Sequence, residues 1–249
     1  MGDIVAGDAC PYPRDGAGGR PWRIIRYPLD RYPFPQLAAA DVAADGVGTQ
    51  GLQRLGADRP AGPIWTRATD QASAWHARFY DRFDRWRHVY DAFVADVIGP
   101  LLGEPIYYQS VPTFRVHLDH NVAVGEFHTD GQYHHPAGER TFWLPLTPAC
   151  GTNSVWIEAD DGTAYPVTAE PGEVAVFDAV NRRHGNRLND TGRTRVSMDF
   201  RCLPVRRYRP SPHRSVNAGL PFAPGGYYHP EPVGTATTGV TPVSAIDAR

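Results

Sequence analysis

The chain has 249 residues, enough for one domain with a full hydrophobic core, and its 41% apolar and 21% charged residues lie in the ordinary globular range. A formal charge of −2 at pH 7 excludes the strong positive field that nucleic acid or an anionic membrane surface would need. The three cysteines, Cys10, Cys150 and Cys202, are odd in number and lack Cys-x-x-Cys spacing, which points to neither a disulfide framework nor a thiolate zinc site.

The N-terminus has no basic start followed by an apolar stretch, and no window approaches the roughly 20 apolar residues of a membrane span, so a cytoplasmic protein is expected. Residues 1–66, rich in Pro, Gly and Arg, read mainly as loops, with a short helical candidate over 36–44. From Asp70 to about Ile98 the pattern changes. Ala74, Phe79, Phe83, Trp86, Val89, Tyr90, Phe93, Val94 and Val97 recur mostly at three- and four-residue spacings, the buried stripe of one helix. Thr69 or Asp70 caps its start and Gly99-Pro100 stops it; Arg78, Asp81, Arg82, Asp84 and Arg85 form a solvated face.

After Pro105 come short runs of β-branched and aromatic residues separated by turn residues, at 106–111, 113–118, 123–128, 141–146, 154–158, 164–168, 173–178, 185–188 and 194–203. These predict a mainly β fold, a double-stranded β-helix (jelly roll, cupin-like) with flanking helices. A single domain over 1–249 is expected, with its jelly-roll core at about 105–204 and the helix from Asp70 against the outside of one sheet. Beyond Arg206 the tail is either a flexible end or an ordered flap over the site.

His128-Thr129-Asp130 ends a predicted strand, where residues two apart share a face and can reach one ion. His184 follows the run GEVAVFD after the short loop AVNRR, placed for a third ligand at the same barrel mouth. Two histidines and one carboxylate on one face of an ion leave three positions open, the facial triad of non-haem Fe(II) oxygenases. Eleven residues on, Arg195 and Ser197 share a strand face and suit the distal carboxylate of 2-oxoglutarate, and Asn186 is either a further support for it or a plain turn residue.

The blocks PTFRVHL, AVGEFHTD, ERTFWLPLTPACGTNSVWIE, PGEVAVFDAVNRRHGN and NDTGRTRVSMDFR, over about Val111 to Pro204, resemble the phytanoyl-CoA-hydroxylase-like Fe(II)/2-oxoglutarate dioxygenases of antibiotic clusters. The resemblance extends to the branch that serves streptomycin biosynthesis and to the oxygenases that close orthoester rings in orthosomycins such as hygromycin B. It implies His128, Asp130 and His184 as iron ligands, Arg195 as the 2-oxoglutarate anchor, and O₂ as the second cosubstrate. The implied partner is a small molecule, a carbohydrate or aminoglycoside intermediate, acted on by a monomer or homodimer. With Asp130 in place, no coordination position is freed for a halide.

Other residues carry weaker readings. His134 and His135 follow the metal motif and read as substrate contacts, with a zinc-like cluster around His128 as the alternative. Trp143 and Thr141 alternate on one strand, Trp143 as core or as a ligand contact. Arg115 and His117 share a face that points either into the barrel or to solvent, and Asn153 is a further possibility. Cys150 and Cys202 read as small apolar residues. Two rival functions use the same three metal residues: a zinc or manganese cupin-like isomerase or hydrolase, and a non-catalytic sugar-binding jelly roll.

Overall fold

In the computed structural model, strand β9, Arg195–Pro204, is buried along all ten residues. Its apolar positions Val196, Met198, Phe200 and Cys202 join a core with the helices, while Arg195, Ser197, Asp199 and Arg201 alternate on the other face. Period-two alternation thus splits one strand into an apolar outer face and a charged inner one. The structure describes residues 20–43, 48–57, 65, 66, 69, 71–123 and 126–234.

Around β9 the elements run β1 (Trp22–Arg26), helix α1 (Phe34–Asp41), α2 (Ala74–Arg82), α3 (Arg87–Phe93), α4 (Gly99–Leu102), β2 (Ile106–Tyr108), β3 (Thr113–His117), β4 (Arg140–Pro145), β5 (Trp156–Glu158), β6 (Ala164–Pro166), β7 (Glu173–Phe177) and β8 (His184–Gly185). One antiparallel sheet is ordered β1-β7-β4-β9-β2, with β3 also on β9; a second is ordered β6-β5-β8. Trp22, Trp143, Val155, Ile157, Ala175 and Phe177 pack together in a core that spans both sheets, the two-layer closure of a jelly roll. The helices cover the large sheet's outer face, where Phe79 stacks on Phe114 at 4.5 Å and Tyr90 meets Phe200 at 5.3 Å.

The predicted long helix is a chain of shorter ones. A 3₁₀ turn at Phe83–Arg85 separates α2 from α3, and a π turn at Val94–Ile98 leads into α4. Gly99-Pro100 does not stop the helix. The wider π turn opens the hydrogen-bond ladder just where Pro100 has no N–H to give, and the stop comes at Gly103, left-handed at φ 67°. Ser73, not Thr69, precedes α2; Asp70 lies outside the described residues.

The arginines read as a solvated face tie α1 down. Arg78 donates to Val42 O, Arg82 to Asp41 O, and Arg85 and Trp86 Nε1 donate to the Asp41 carboxylate. Within the N-terminal segment read as loops, β1 pairs with β7 from Trp22↔Phe177 to Arg26↔Glu173. The expected strand at 123–128 is reduced, in its described part, to a bridge between His128 and His184. Residues 206–234 form an ordered strap. Phe222, Tyr227 and Tyr228 cluster with Leu203, and Val233 pairs with Ile106. Cys202 is free and buried, whereas Cys150 is disulfide-bonded, which corrects its reading as a plain apolar residue; linear spacing cannot show which thiols meet in space. Among the described residues no helix is long and apolar enough to cross a membrane.

Candidate metal centre and cosubstrate pocket

Two chain crossings bring the three sequence-predicted ligands together. His128 and His184 exchange both backbone hydrogen bonds at 2.9 Å, which sets their side chains side by side with ring centroids 4.5 Å apart. Asp130 N–H then donates to Ala179 O at 2.8 Å and Gly131 N–H to Val180 O, so the segment after β7 holds the loop that carries the carboxylate. A glycine follows both Asp130 and His184, each at a tight crossing. A β-carbon on Gly131 would lie 2.8 Å from Val180 O, and one on Gly185 would lie 2.9 Å from Phe127 Cδ2 and 3.0 Å from its Cα. We expect Gly185→Ala to part the two histidine segments and weaken metal affinity by about tenfold or more, measured by competition with a chromophoric chelator.

Asp130 Oδ1 lies 3.6 Å from His128 Nε2 and 3.5 Å from His184 Nε2. Neighbouring donors on an ion with bonds of about 2.1 Å sit roughly 3 Å apart, so a small inward movement closes the group on a metal. Each imidazole already has the tautomer for this. His128 Nδ1–H donates to Glu126 O at 2.9 Å and His184 Nδ1–H to Arg182 O at 3.0 Å, leaving both Nε2 lone pairs toward Asp130. Burial lowers the His184 pKa to about 4 despite the neighbouring Asp130, so its ring is neutral at physiological pH. For Asp130, burial alone would raise the carboxyl, but Arg201 and the imidazoles of His128, His184 and His135 outweigh it and hold it well below the usual range. Two imidazoles beside an ionised carboxylate are a donor set able to bind a divalent metal.

Arg201, Asp199 and Arg115, two of them unassigned from the sequence, form a row behind Asp130. Arg201 Nε and Nη2 donate to Asp130 Oδ2 at 3.1 and 2.9 Å, Arg201 Nη1 donates to Asp199, and Arg115 Nε donates to Asp199 Oδ1 at 3.2 Å. The signal was present in the sequence: extending the Arg195-x-Ser197 alternation by two steps reaches Asp199 and Arg201 on the same face.

Arg195 is 1% exposed, and its guanidinium is framed by side chains. Nη1 donates to Ser197 Oγ at 2.7 Å, Nη2 to Asn186 Oδ1 at 2.9 Å, and Nε to Asn153 O at 2.9 Å. Nη2 also faces His117 Nδ1 at 3.4 Å, and the same nitrogen lies 3.2 Å from Asn153 O; the shorter 2.9 Å contact of Nε2 with Asn121 O takes the neutral ring's one proton, which leaves Nδ1 to accept from Arg195. Burial first, then the Arg195 charge, lowers the His117 pKa to about 3. Arg115 and His117 therefore both point inward.

One cavity is lined by His128, His184, Asn186 and Arg195 together with Arg115, Thr141, Trp143, Phe177, Asp199 and Arg201. Thr141 Oγ1 is buried there without a hydrogen-bond partner among the described residues. Trp143 both packs in the core that spans the two sheets and lines the cavity. His134 and His135 do not line it. His135 Nδ1 is 2.7 Å from the buried Glu139 carboxylate and its ring packs on Phe222 and Tyr227, while His134, left-handed at φ 65°, stacks on His213 at 3.8 Å. Both histidines fasten the metal loop to the C-terminal strap.

The buried neutral imidazoles make stability depend on pH. His76, lowered to about 4 by burial and by Arg115, and His117 take up protons at about 6.5 once unfolded but resist doing so when folded. Their contribution is complete above pH 6.5 and is lost as pH falls through the interval down to the folded values. We expect the metal-free protein's unfolding temperature to drop between pH 6.5 and 4. His76 Nε2 has no partner among the described residues and its ring lies 6.0 Å from both Trp65 and Phe114, so His76→Phe should make that drop shallower.

No family model matches the chain. The streptomycin biosynthesis protein StrG of Streptomyces griseus is 43% identical over 206 residues, 82% of this chain and 98% of that protein. Among solved structures, EctD from S. alaskensis with 2-oxoglutarate and 5-hydroxyectoine superposes with a TM-score of 0.51 at 19% identity, over 78% of this chain and 74% of that one. SnoK, a non-haem α-ketoglutarate-dependent carbocyclase from nogalamycin biosynthesis, gives 0.51 at 12% identity, over 86% and 92%. At these identities the two structures establish the shared fold.

Proposed function

The chain belongs to the phytanoyl-CoA-hydroxylase-like Fe(II)/2-oxoglutarate oxygenases, in company with StrG, and we propose that it oxidises a C–H bond of a carbohydrate or aminoglycoside intermediate of a natural product. One observation carries the proposal: His128 and His184 of the His–Asp–His donor group and Arg195 and Asn186 of the buried cation pocket line the same cavity. A zinc or manganese isomerase would need the first and not the second.

His128 Nε2, Asp130 Oδ1 and His184 Nε2 would hold Fe(II). Arg195 and Ser197 would take the distal carboxylate of 2-oxoglutarate through charge-assisted hydrogen bonds, with Asn186 fixing the guanidinium plane. Neutral His117 adds no second charge behind the Arg195 guanidinium. Thr141 Oγ1, buried in the cavity without a partner among the described residues, would offer the cosubstrate a hydroxyl, and Trp143 and Phe177 would give the cavity its apolar walls. Fe(II), 2-oxoglutarate and O₂ together supply an oxidant able to break a C–H bond, with succinate and CO₂ as co-products. The substrate's own functional groups then decide between hydroxylation and ring closure, a neighbouring hydroxyl favouring the latter. The sugar-like substrate is supported by the relative's role in streptomycin biosynthesis and by a cavity that carries aromatic faces beside charged groups.

Anaerobic addition of Fe(II) and then 2-oxoglutarate to metal-free protein tests the first half. A weak visible charge-transfer band from a chelated 2-oxo acid, lost in His184→Ala, supports the assignment. Tight zinc or manganese binding without the band sinks it. Succinate release stimulated by aminoglycoside precursors, against panels of unrelated small molecules, tests the substrate class.

A further inference from the structure

Asp130 turns only one oxygen toward the metal position. Oδ1 faces the two imidazoles at 3.5 and 3.6 Å, whereas Oδ2 accepts two hydrogen bonds from Arg201, at 2.9 and 3.1 Å. An ionised carboxylate offers about four lone-pair sites, and a guanidinium holds both of those on Oδ2. Arg201 is itself pinned, because its remaining Nη1 edge donates to Asp199, and Asp199 is held from its other side by Arg115. Asp130, Asp199 and Arg201 are all buried. The charges of Arg115, Asp199, Arg201 and Asp130 cancel, so the row compensates itself.

We propose that Arg201 is a positioning residue that makes Asp130 a one-oxygen ligand and thereby keeps three coordination positions open for 2-oxoglutarate and O₂; this rests on the oxygenase reading above. A six-coordinate ion with three protein donors has three positions left, of which a 2-oxo acid takes two. A carboxylate free to rotate could add its second oxygen and fill the last. Two charge-assisted bonds on Oδ2 oppose that rotation, and the loop bonds from Asp130 N–H and Gly131 N–H oppose movement of the backbone.

The test compares wild type with Arg201→Gln/Asp199→Asn, in which Arg115 and Asp130 still balance, and with Arg201→Lys, which keeps the charge but loses the fork. Anaerobic Fe(II) and 2-oxoglutarate titration reads metal and cosubstrate binding; nitric oxide, added to the same complex as a stand-in for O₂ and followed by electron paramagnetic resonance, reads the last open position. In the double variant we expect the charge-transfer band to persist while nitric oxide affinity falls about tenfold or more, with partial recovery in Arg201→Lys. Unchanged nitric oxide affinity beside an intact band overturns the assignment alone. Loss of metal binding from a folded variant also overturns it, since Arg201 would then serve affinity instead of denticity. Absence of the band in wild type sinks the oxygenase reading and this assignment with it. Should the double variant fail to fold, Arg201→Lys decides: weakened nitric oxide binding supports the proposal, and wild-type binding overturns it.

Discussion

Arg195→Ala is expected to abolish 2-oxoglutarate turnover while leaving metal loading at the wild-type level. Ser197, Asn186 and Asn153 frame this buried guanidinium, and the cavity's other two arginines, Arg115 and Arg201, are held by Asp199 and Asp130. Removing one partner of a desolvated, hydrogen-bonded charge pair costs about 2–5 kcal/mol, so 2-oxoglutarate affinity should fall by about thirtyfold or more. The metal donors lie on other segments, so chelator competition should return an unchanged iron affinity. Arg195→Lys separates charge from geometry. An ammonium keeps the attraction but cannot bond Ser197, Asn186 and a carboxylate in one plane, and its loss of affinity should be intermediate. Wild-type 2-oxoglutarate turnover in Arg195→Ala would show that another group anchors the cosubstrate, whereas no turnover in the wild type itself would bring back the isomerase and sugar-binding readings. Circular dichroism and thermal unfolding guard against a trivial loss, because the stranded Asn153 carbonyl and His117 cost stability of their own, about 1–3 kcal/mol for each unsatisfied buried group.

Why the sequence disclosed this site so unevenly follows from how far each signal reaches along the chain. His128 and Asp130 were legible because strand alternation fixes the face of residues two apart, and Arg195 with Ser197 for the same reason. His184 needed the fold as well, since only closure of the barrel brings it to His128, yet the strand-and-short-loop pattern before it was enough to nominate it. Asp199 and Arg201 obeyed the same alternation, but an Asp and an Arg on a buried strand carry no sign of their partner until Asp130 arrives from 71 residues away. His134 and His135 illustrate the reverse error: closeness in sequence to a metal ligand suggested a place in the cavity, which neither of them lines. The turn after Asp130, with Gln132 Oε1 accepting from Thr129 N–H and His134 at positive φ, swings both rings toward the C-terminal strap. In the fold, β1 stayed hidden because its five residues, WRIIR, gain their strand character from pairing with β7, not from their own alternation. Pro100 misled for a related reason, because a π turn upstream removes the clash that usually makes proline a stop.

Asp130→Ala and His184→Ala should both empty the centre of metal, yet only the first should damage the fold. Each removes one of three donors, and with two left the affinity for a divalent ion should drop by orders of magnitude in either variant, measured by chelator competition. Their structural consequences differ because the two groups carry different charge in the metal-free protein. His184 is neutral there, its pKa pushed down to about 4 by burial, and an alanine in its place strands no charge. Asp130 is ionised and compensates Arg201, which is buried and would be left sharing Asp199 with Arg115. An uncompensated buried charge costs about 3–5 kcal/mol, which in a protein of this size corresponds to a fall in unfolding temperature on the order of 10 °C. Sign and pH window follow from the same charges. Asp130 is held well below the usual carboxylate range, so its contribution is present at neutral pH and fades only as pH falls below the unfolded carboxylate value. The difference between the two variants should therefore be full at pH 7 and shrink in strong acid. Removing the stranded cation as well, in Asp130→Ala/Arg201→Met, returns the row to the neutral pair of Arg115 and Asp199. That double variant should recover most of the lost unfolding temperature and none of the metal. If it recovers no stability, the loss in Asp130→Ala comes from the loop that carries Asp130, and the ion pair with Arg201 is not what holds the metal-free site together.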